Sequence, residues 1–127
     1  FVPPASHAGG LRYHGMAPLV SQLVDLGEVT PTSYSQTECF DAGVTFARAE
    51  GIVPAPEANH AVKGAISEAL RCKEEGESRA ILFNLCGHGY FDMQAYTDYF
   101  AGNLQDVQFD KDKLDAALAE LPDVAAE

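Results

Sequence analysis

The residues of this 127-residue chain that are best placed to do chemistry follow its most apolar segment. Cys86 ends the run RAILFNLC (residues 79–86), and the sharp turn Gly87-His88-Gly89 comes directly after it. A nearly continuous apolar run of this length is typical of a parallel strand covered on both faces, and open α/β sheets bind ligands where such strands end. Glycines there let a backbone approach a ligand closely. The pattern indicates either a ligand site or a tight turn beside a buried cysteine.

A second candidate is Glu57, which follows Pro54-Ala55-Pro56 at the start of a predicted helix. A helix dipole favours a carboxylate in this position, so one interpretation is an N-terminal cap. The alternative is a carboxylate that two prolines hold rigidly at the mouth of a pocket. The local pattern leaves both interpretations open.

Four side chains suggest a metal site as an alternative. Glu57 and His60 form an E-x-x-H pair on one helix face, and Cys86 and His88 would share a face if the strand continued. Carboxylate, imidazole and thiolate groups are all zinc ligands. Neither pair has a known zinc-finger spacing, so a small metal-binding module is kept as a rival hypothesis.

Helices that end at glycines account for most of the remaining chain. Apolar residues recur at helical spacing, and a glycine follows each such stretch. The segments preceding and separating the first three helices carry prolines, which favour loops and extended backbone. The predicted helices cover residues 16–26, 37–50 (capped by Thr37), 58–75 and 91–101.

These elements predict an α/β fold in which mostly helices surround one or two parallel strands. A central parallel strand needs neighbours on both sides, and the chain offers at most one more. Because the first residue is Phe1 and not Met, we expect a cut inside a longer protein whose earlier strands lie upstream. Residues 1–102 would then be the C-terminal segment of an α/β domain. Residues 103–127, with seven acids and two lysines, would be an acidic tail with one amphipathic turn (Leu114, Leu118, Leu121).

Composition excludes several classes of function. The chain is 46% hydrophobic and 21% charged, which is typical of a globular domain. Nineteen acids and eight bases give a formal charge of −11, which argues against binding nucleic acid or an anionic membrane. No apolar run approaches the roughly 20 residues of a membrane helix. Three widely spaced cysteines favour a reducing cytoplasm over a disulfide framework.

Three segments together resemble a known enzyme family. They are HAGGLRYHGMAPLVS (residues 7–21), QTECFDAGVTFARAEGIVPAPEANHAV (36–62) and ILFNLCGHGYFDM (81–93). They are similar to the C-terminal part of the tryptophan synthase beta chain, and more closely to its second type. The resemblance covers about residues 1–102 and includes the ordered strings E-G-I-x-P-A-x-E and N-L-x-G-x-G.

The resemblance implies the C-terminal fragment of a fold-type-II pyridoxal-phosphate enzyme. Such an enzyme replaces the hydroxyl of L-serine by indole and so forms L-tryptophan. The lysine that holds the cofactor and the loop that binds its phosphate belong upstream of Phe1. We therefore expect no catalytic residue in this chain and no activity from it alone.

The resemblance also implies cofactor-binding roles for four residues. Cys86 occupies the position of a family serine whose side chain donates a hydrogen bond to the pyridine nitrogen. Gly87 lets the backbone pass close to the ring. Glu57 matches a glutamate near the ring, and Gly10 matches a glycine whose backbone lies beside the cofactor.

The first loop carries the remaining implied roles. Tyr13 and Gly15 occupy positions from which the family offers backbone carbonyls to a monovalent cation. Arg12 replaces an aspartate of the commoner beta chain, which favours the second type. Its positive charge makes phosphoserine an alternative to L-serine as the substrate.

The implied partners are these small substrates with indole, a second copy of the chain in a homodimer, and a tryptophan synthase alpha chain. The implied location is the cytoplasm. A serine or threonine deaminase-type pyridoxal-phosphate lyase on the same scaffold is the alternative enzyme.

Overall fold

The computed structural model describes residues 6–13, 15–107 and 110–120. Over these residues the chain is helical, with a short 3-10 turn at Gly9–Leu11 before the first α-helix. The α-helices are α1 (Pro18–Asp25), α2 (Gln36–Glu50), α3 (Pro56–Glu75), α4 (Met93–Phe100) and α5 (Lys111–Leu118).

Helix α2 begins at a capping box that differs from the predicted cap. Ser35, and not Thr37, is the N-cap: its hydroxyl accepts a hydrogen bond from the Glu38 N–H, and the Glu38 carboxylate accepts one from the Ser35 N–H. The bond from the Ser35 N–H and, second, one from the Ser35 hydroxyl to the same carboxylate hold the pKa of Glu38 below its ordinary value. The helix ends where Gly51 adopts φ +72°, as predicted.

Helix α3 starts two residues earlier than predicted, because Pro56 occupies its first turn, where a missing N–H costs nothing. It packs along α2, and the two helices come closest where Gly43 faces Asn59. A Cβ on residue 43 would lie 2.5 Å from Asn59 Cγ and 2.8 Å from its Nδ2. This crossing therefore requires glycine at position 43.

The hydrophobic core joins α2 to α4. Phe40, Val44, Ala95 and Tyr96 form it, and Val53, Tyr99 and Leu104 pack against it. The Phe40 ring meets Tyr96 edge-on, with 5.0 Å between the centroids, an arrangement that aromatic pairs favour.

The predicted parallel strand is not confirmed. Residues 79–86 are neither helix nor strand, and among the described residues no sheet forms; the only bridge there is antiparallel and joins Pro54 to His88. The Phe83 ring packs on Phe46 of α2, whereas Leu82 is 96% exposed. A strand is stable only beside neighbours that pair with it, and the described part of the chain supplies none. The helical part of the fold prediction is observed, and the α/β sheet stays a prediction.

In its described part, the acidic segment after Gly102 bonds to the rest of the chain. Residues 103–107 run along the start of α2, and α5 follows, capped by the side chain of Asp110, which accepts from Lys113 N–H. Leu121 lies outside the described residues. The division of the chain at Gly102 stays a prediction.

None of the helices within the described ranges has the length and apolar character that crossing a membrane requires.

Candidate functional site

The start of α3 is where the segments singled out by the sequence meet. Glu57, in the first turn of α3, accepts a hydrogen bond from the Gly10 N–H at 2.8 Å, across 47 residues of chain. A Cβ on Gly10 would lie 3.0 Å from the same carboxylate oxygen, so the absent side chain allows this approach. Helix α3 has no side-chain cap. The carboxylate of Glu57 therefore anchors the first loop and does not cap its own helix.

The turn after Cys86 is fixed to the same helix start by two backbone hydrogen bonds. Ala55 N–H donates to the Gly87 carbonyl (2.9 Å), and Gly89 N–H donates to the Val53 carbonyl (2.7 Å). A Cβ on Gly89 would lie 2.5 Å from the Pro54 carbonyl oxygen. The close pairing therefore depends on glycine at position 89.

Cys86 itself is exposed. The sequence left open a buried cysteine at this turn, and that interpretation is wrong. The thiol lies next to Gly87, whose carbonyl holds Ala55, the residue immediately before α3. A thiol is a weak hydrogen-bond donor. The role of Cys86 in binding the cofactor stays a prediction.

Two buried polar residues, Tyr96 and Asn59, lie against the segment of residues 54–56. The Tyr96 hydroxyl lies 2.6 Å from the Pro54 carbonyl oxygen, to which it donates, and 3.1 Å from Asn59 Oδ1. Asn59 is fully buried, and its Nδ2 has no hydrogen-bond partner among the described residues. Burial raises the pKa of Tyr96, so the hydroxyl stays protonated near neutral pH. Sequence reasoning missed this pair; an asparagine inside the apolar stripe of a helix was the available signal.

The four-residue metal site is not assembled. The residues described include all four proposed ligands, yet they contain no group of three or more histidine, cysteine or acidic side chains that could hold an ion. The His60 ring bonds the Pro56 carbonyl within its own helix, and His88 Nδ1 accepts from the Tyr90 N–H. The Glu57 carboxylate is committed to Gly10. The described residues therefore do not bring these four side chains together as a metal site.

The residues after Gly10 lie on the exposed side of the first loop. Arg12 N–H donates to the Gly9 carbonyl (3.2 Å), and Tyr13 is 67% exposed. His14, between Tyr13 and Gly15, lies outside the described residues. The roles of Arg12 in substrate binding and of Tyr13 and Gly15 in cation binding stay predictions.

No family model matches this chain, but similar curated proteins exist. The tryptophan synthase beta chain 2 of Aquifex aeolicus is 64% identical over 106 residues, which are 84% of this chain and 24% of the relative. This chain is homologous to tryptophan synthase beta chains of the second type. The beta chain 2 of Methanosarcina mazei is 59% identical over 104 residues (82% of this chain, 24% of the relative). The beta chain of Thermococcus gammatolerans is 56% identical over 110 residues (87% and 25%).

The chain thus spans about a quarter of the length of these relatives, and the family resemblance is confirmed. The match also reaches further than the sequence resemblance indicated. Because the beta chain of Thermococcus gammatolerans matches 110 residues of the 127, the similarity extends at least through residues 103–110. The start of the acidic segment therefore belongs to the homologous region.

Proposed function

We propose that this chain forms part of a pyridoxal-phosphate site in a tryptophan synthase beta enzyme. The reaction would be β-replacement, in which indole displaces the hydroxyl of L-serine, or the phosphate of phosphoserine, to give L-tryptophan. The observation that carries the proposal is the bond between Gly10 and Glu57 at the start of α3, found in a chain 64% identical to a protein named tryptophan synthase beta chain 2.

The residues present fit the cofactor. The exposed thiol of Cys86 is a donor, as a pyridine nitrogen that is not protonated requires. Gly87 carries no side chain, and a Cβ there would touch the Ala55 Cβ at 3.4 Å, so glycine lets the backbone beside the thiol lie close to the residue that precedes α3. When bound, pyridoxal phosphate supplies the electron sink that lets a substituent leave the β-carbon of an amino acid.

Each residue of the chain would then act on the placement of the ligands. Glu57 holds the Gly10 backbone, and with it the wall of the pocket that the first loop forms. Cys86 would hold the cofactor ring through a hydrogen bond from its S–H group. Arg12 would attract the carboxylate or phosphate of the substrate, and the carbonyls of Tyr13 and Gly15 would hold a monovalent cation. We place the lysine that bonds the cofactor outside this chain, so that the chain alone is inactive.

The whole protein would act as a homodimer with a tryptophan synthase alpha chain as its partner, in the cytoplasm. The names of the relatives support the enzyme family; the assembly and the location rest on the family resemblance.

A chimeric enzyme tests the proposal. This chain replaces the matching quarter of the Aquifex aeolicus beta chain 2, and the chimera is assayed with indole and either L-serine or phosphoserine. We expect visible cofactor absorbance and tryptophan formation, and the two donors separate the substrate alternatives. The unaltered Aquifex aeolicus protein is the control. A folded chimera that takes up neither the cofactor nor indole would refute the proposal.

Variants of Cys86 in the same chimera test its role. Cys86→Ser keeps a hydrogen-bond donor, whereas Cys86→Ala removes it. We expect the serine variant to retain activity and the alanine variant to lose about tenfold or more in kcat/KM, because one hydrogen bond that orients a reacting group is worth about 1–2 kcal/mol. Equal activity of the two variants would exclude Cys86 as the donor.

A further inference from the structure

We propose that the start of the acidic segment is a strap that positions the Gly10 loop, and that Gln36 is the positioning residue that connects the two. The strap comprises residues 103–107. The proposal rests on the proposed function in one respect: the Gly10 loop is taken to face the cofactor. The strap contact itself is independent of any ligand.

Gln36 joins two segments that are distant in sequence. Its Nε2 donates to the Gln105 carbonyl at 2.7 Å, and its Oε1 accepts from the His7 N–H at 3.3 Å. Only a primary amide of this length can donate to one backbone and accept from the other. Leucine would keep neither bond, and glutamate would keep only the one from His7.

Asp106 fastens the strap to the start of α2. Its carboxylate accepts hydrogen bonds from the Thr37 N–H (3.0 Å) and the Thr37 hydroxyl (2.5 Å). These bonds satisfy a backbone N–H in the first turn of the helix, where negative charge is favoured. They also lower the pKa of Asp106. The strap is therefore also attached to α2 through Asp106, the residue after Gln105, whose carbonyl accepts the hydrogen bond from Gln36.

Little apolar packing holds the Gly10 loop. Gly9, Gly10 and Leu11 are exposed, and only Ala8 is buried. A cavity of about 230 Å³ lies beneath the loop, lined by Ala8, Leu11 and Gln36 and, from the strap, Val107. Two hydrogen bonds tie the loop to the helices, from Gln36 next to His7 and from Glu57 at Gly10, and the His7 ring also packs edge-on against Phe40. Replacing Gln36 removes the first of these hydrogen bonds and leaves the Gly10 N–H bonded to Glu57.

The strap lies in a part of the chain that is similar to a known enzyme chain. The match to the beta chain of Thermococcus gammatolerans extends through residues 103–110, so the strap lies inside the region shared with that enzyme.

Amide hydrogen exchange of Gly10 in the chimera without cofactor tests the strap. Gln36→Leu should speed exchange of the Gly10 N–H about five- to tenfold, as expected for the loss of one or two exposed hydrogen bonds. Gln36→Glu should give a smaller increase. The matched control is Gln94→Leu, because the Gln94 side chain bonds Asp98 on its own helix α4. The Asn59 N–H, which donates to the Ala55 carbonyl, should exchange as before and so show that the helices stay folded.

A second pair of variants keeps the test decisive if Gln36→Leu does not fold. Asp106→Ala detaches the strap without touching Gln36, whereas Asp110→Ala removes the cap of α5 alone. We expect the Gly10 N–H to exchange faster in Asp106→Ala and at an unchanged rate in Asp110→Ala. Unchanged Gly10 exchange in both Gln36→Leu and Asp106→Ala would overturn the proposal.

Kinetics separate this proposal from the proposed function. If the chimera is active, Gln36→Leu should weaken cofactor retention severalfold with little change in kcat, since the residue positions the loop and does not touch the reacting atoms. A chimera that binds no cofactor would refute the proposed function. The exchange rate of the Gly10 N–H would still test whether the strap positions the loop. Loss of kcat with unaltered cofactor retention would contradict a positioning role.

Discussion

Replacing Gly43 by alanine is expected to destabilise the chain, although alanine is the better helix former. A Cβ at this position would lie 2.5 Å from Asn59 Cγ. Asn59 cannot simply swing away, because it is fully buried and contacts the Tyr96 hydroxyl at 3.1 Å. The new methyl group must separate the helices or displace the amide.

The magnitude follows from three contributions. Overpacking a tight core contact costs about 1–3 kcal/mol, and losing the contact between Asn59 and Tyr96 costs about 1 kcal/mol. The change from glycine to alanine inside a helix returns about 1 kcal/mol. The net expectation is a loss of about 1–3 kcal/mol in the free energy of unfolding, measured by urea titration with far-UV circular dichroism.

Gly64 is the matched control on the neighbouring helix α3. A Cβ there would come no closer than 3.9 Å to Tyr34, an ordinary van der Waals distance. Gly64→Ala should therefore stabilise the chain by up to about 1 kcal/mol. In an Asn59→Ala background the overlap is gone, and Gly43→Ala should become stabilising as well. The reasoning is refuted if Gly43→Ala stabilises the original chain, or if it still destabilises the chain when Asn59 is alanine.

Three further predictions concern thiols, pH and the glycine turn. With a thiol reagent near pH 8, exposed Cys86 should react fast and buried Cys39 slowly, since burial raises the pKa of Cys39 to about 11; equal rates, followed by mass spectrometry, would contradict this. The hydrogen bonds from Thr37, its hydroxyl first, hold the pKa of Asp106 below 3.8. The free energy of folding that these bonds add is complete above pH 3.8 and is lost as the pH falls through the lowered pKa. An NMR titration should show this low pKa, and Thr37→Val should move it back towards 3.8. Gly89→Ala should cost about 1–3 kcal/mol, because its Cβ would lie 2.5 Å from a backbone carbonyl oxygen; unchanged unfolding in urea would show that the turn can open at no cost.

Sequence patterns located the helices because their signals are local. Gly51 and Gly76 stop α2 and α3 with positive φ, as predicted. The N-cap of α2 was misplaced by two residues because the hydroxyl residues Ser35 and Thr37 compete there, and of the two only Ser35 is followed by an acid three positions on, at Glu38. Pro56 was assigned to the extended segment although proline suits the first turn of a helix.

The site could be named from the sequence but not assembled. The family resemblance pointed to Gly10 and Glu57, yet their bond joins residues 47 apart, and no local pattern encodes such a pairing. Tyr96 and Gly43 were missed because their importance arises from the fully buried Asn59 between them. The strand prediction depended on neighbours that the described part of the chain does not supply.

The segment at residues 80–86 has a consequence for handling the protein. None of its backbone N–H or C=O groups bonds to another described residue, and Leu82 points an apolar side chain outward, 96% exposed. Such a segment is a ready template for β-pairing with another copy, which natural proteins usually block with lysine or proline. We expect Leu82→Lys to act as such a gatekeeper and to reduce association of the chain in concentrated solutions.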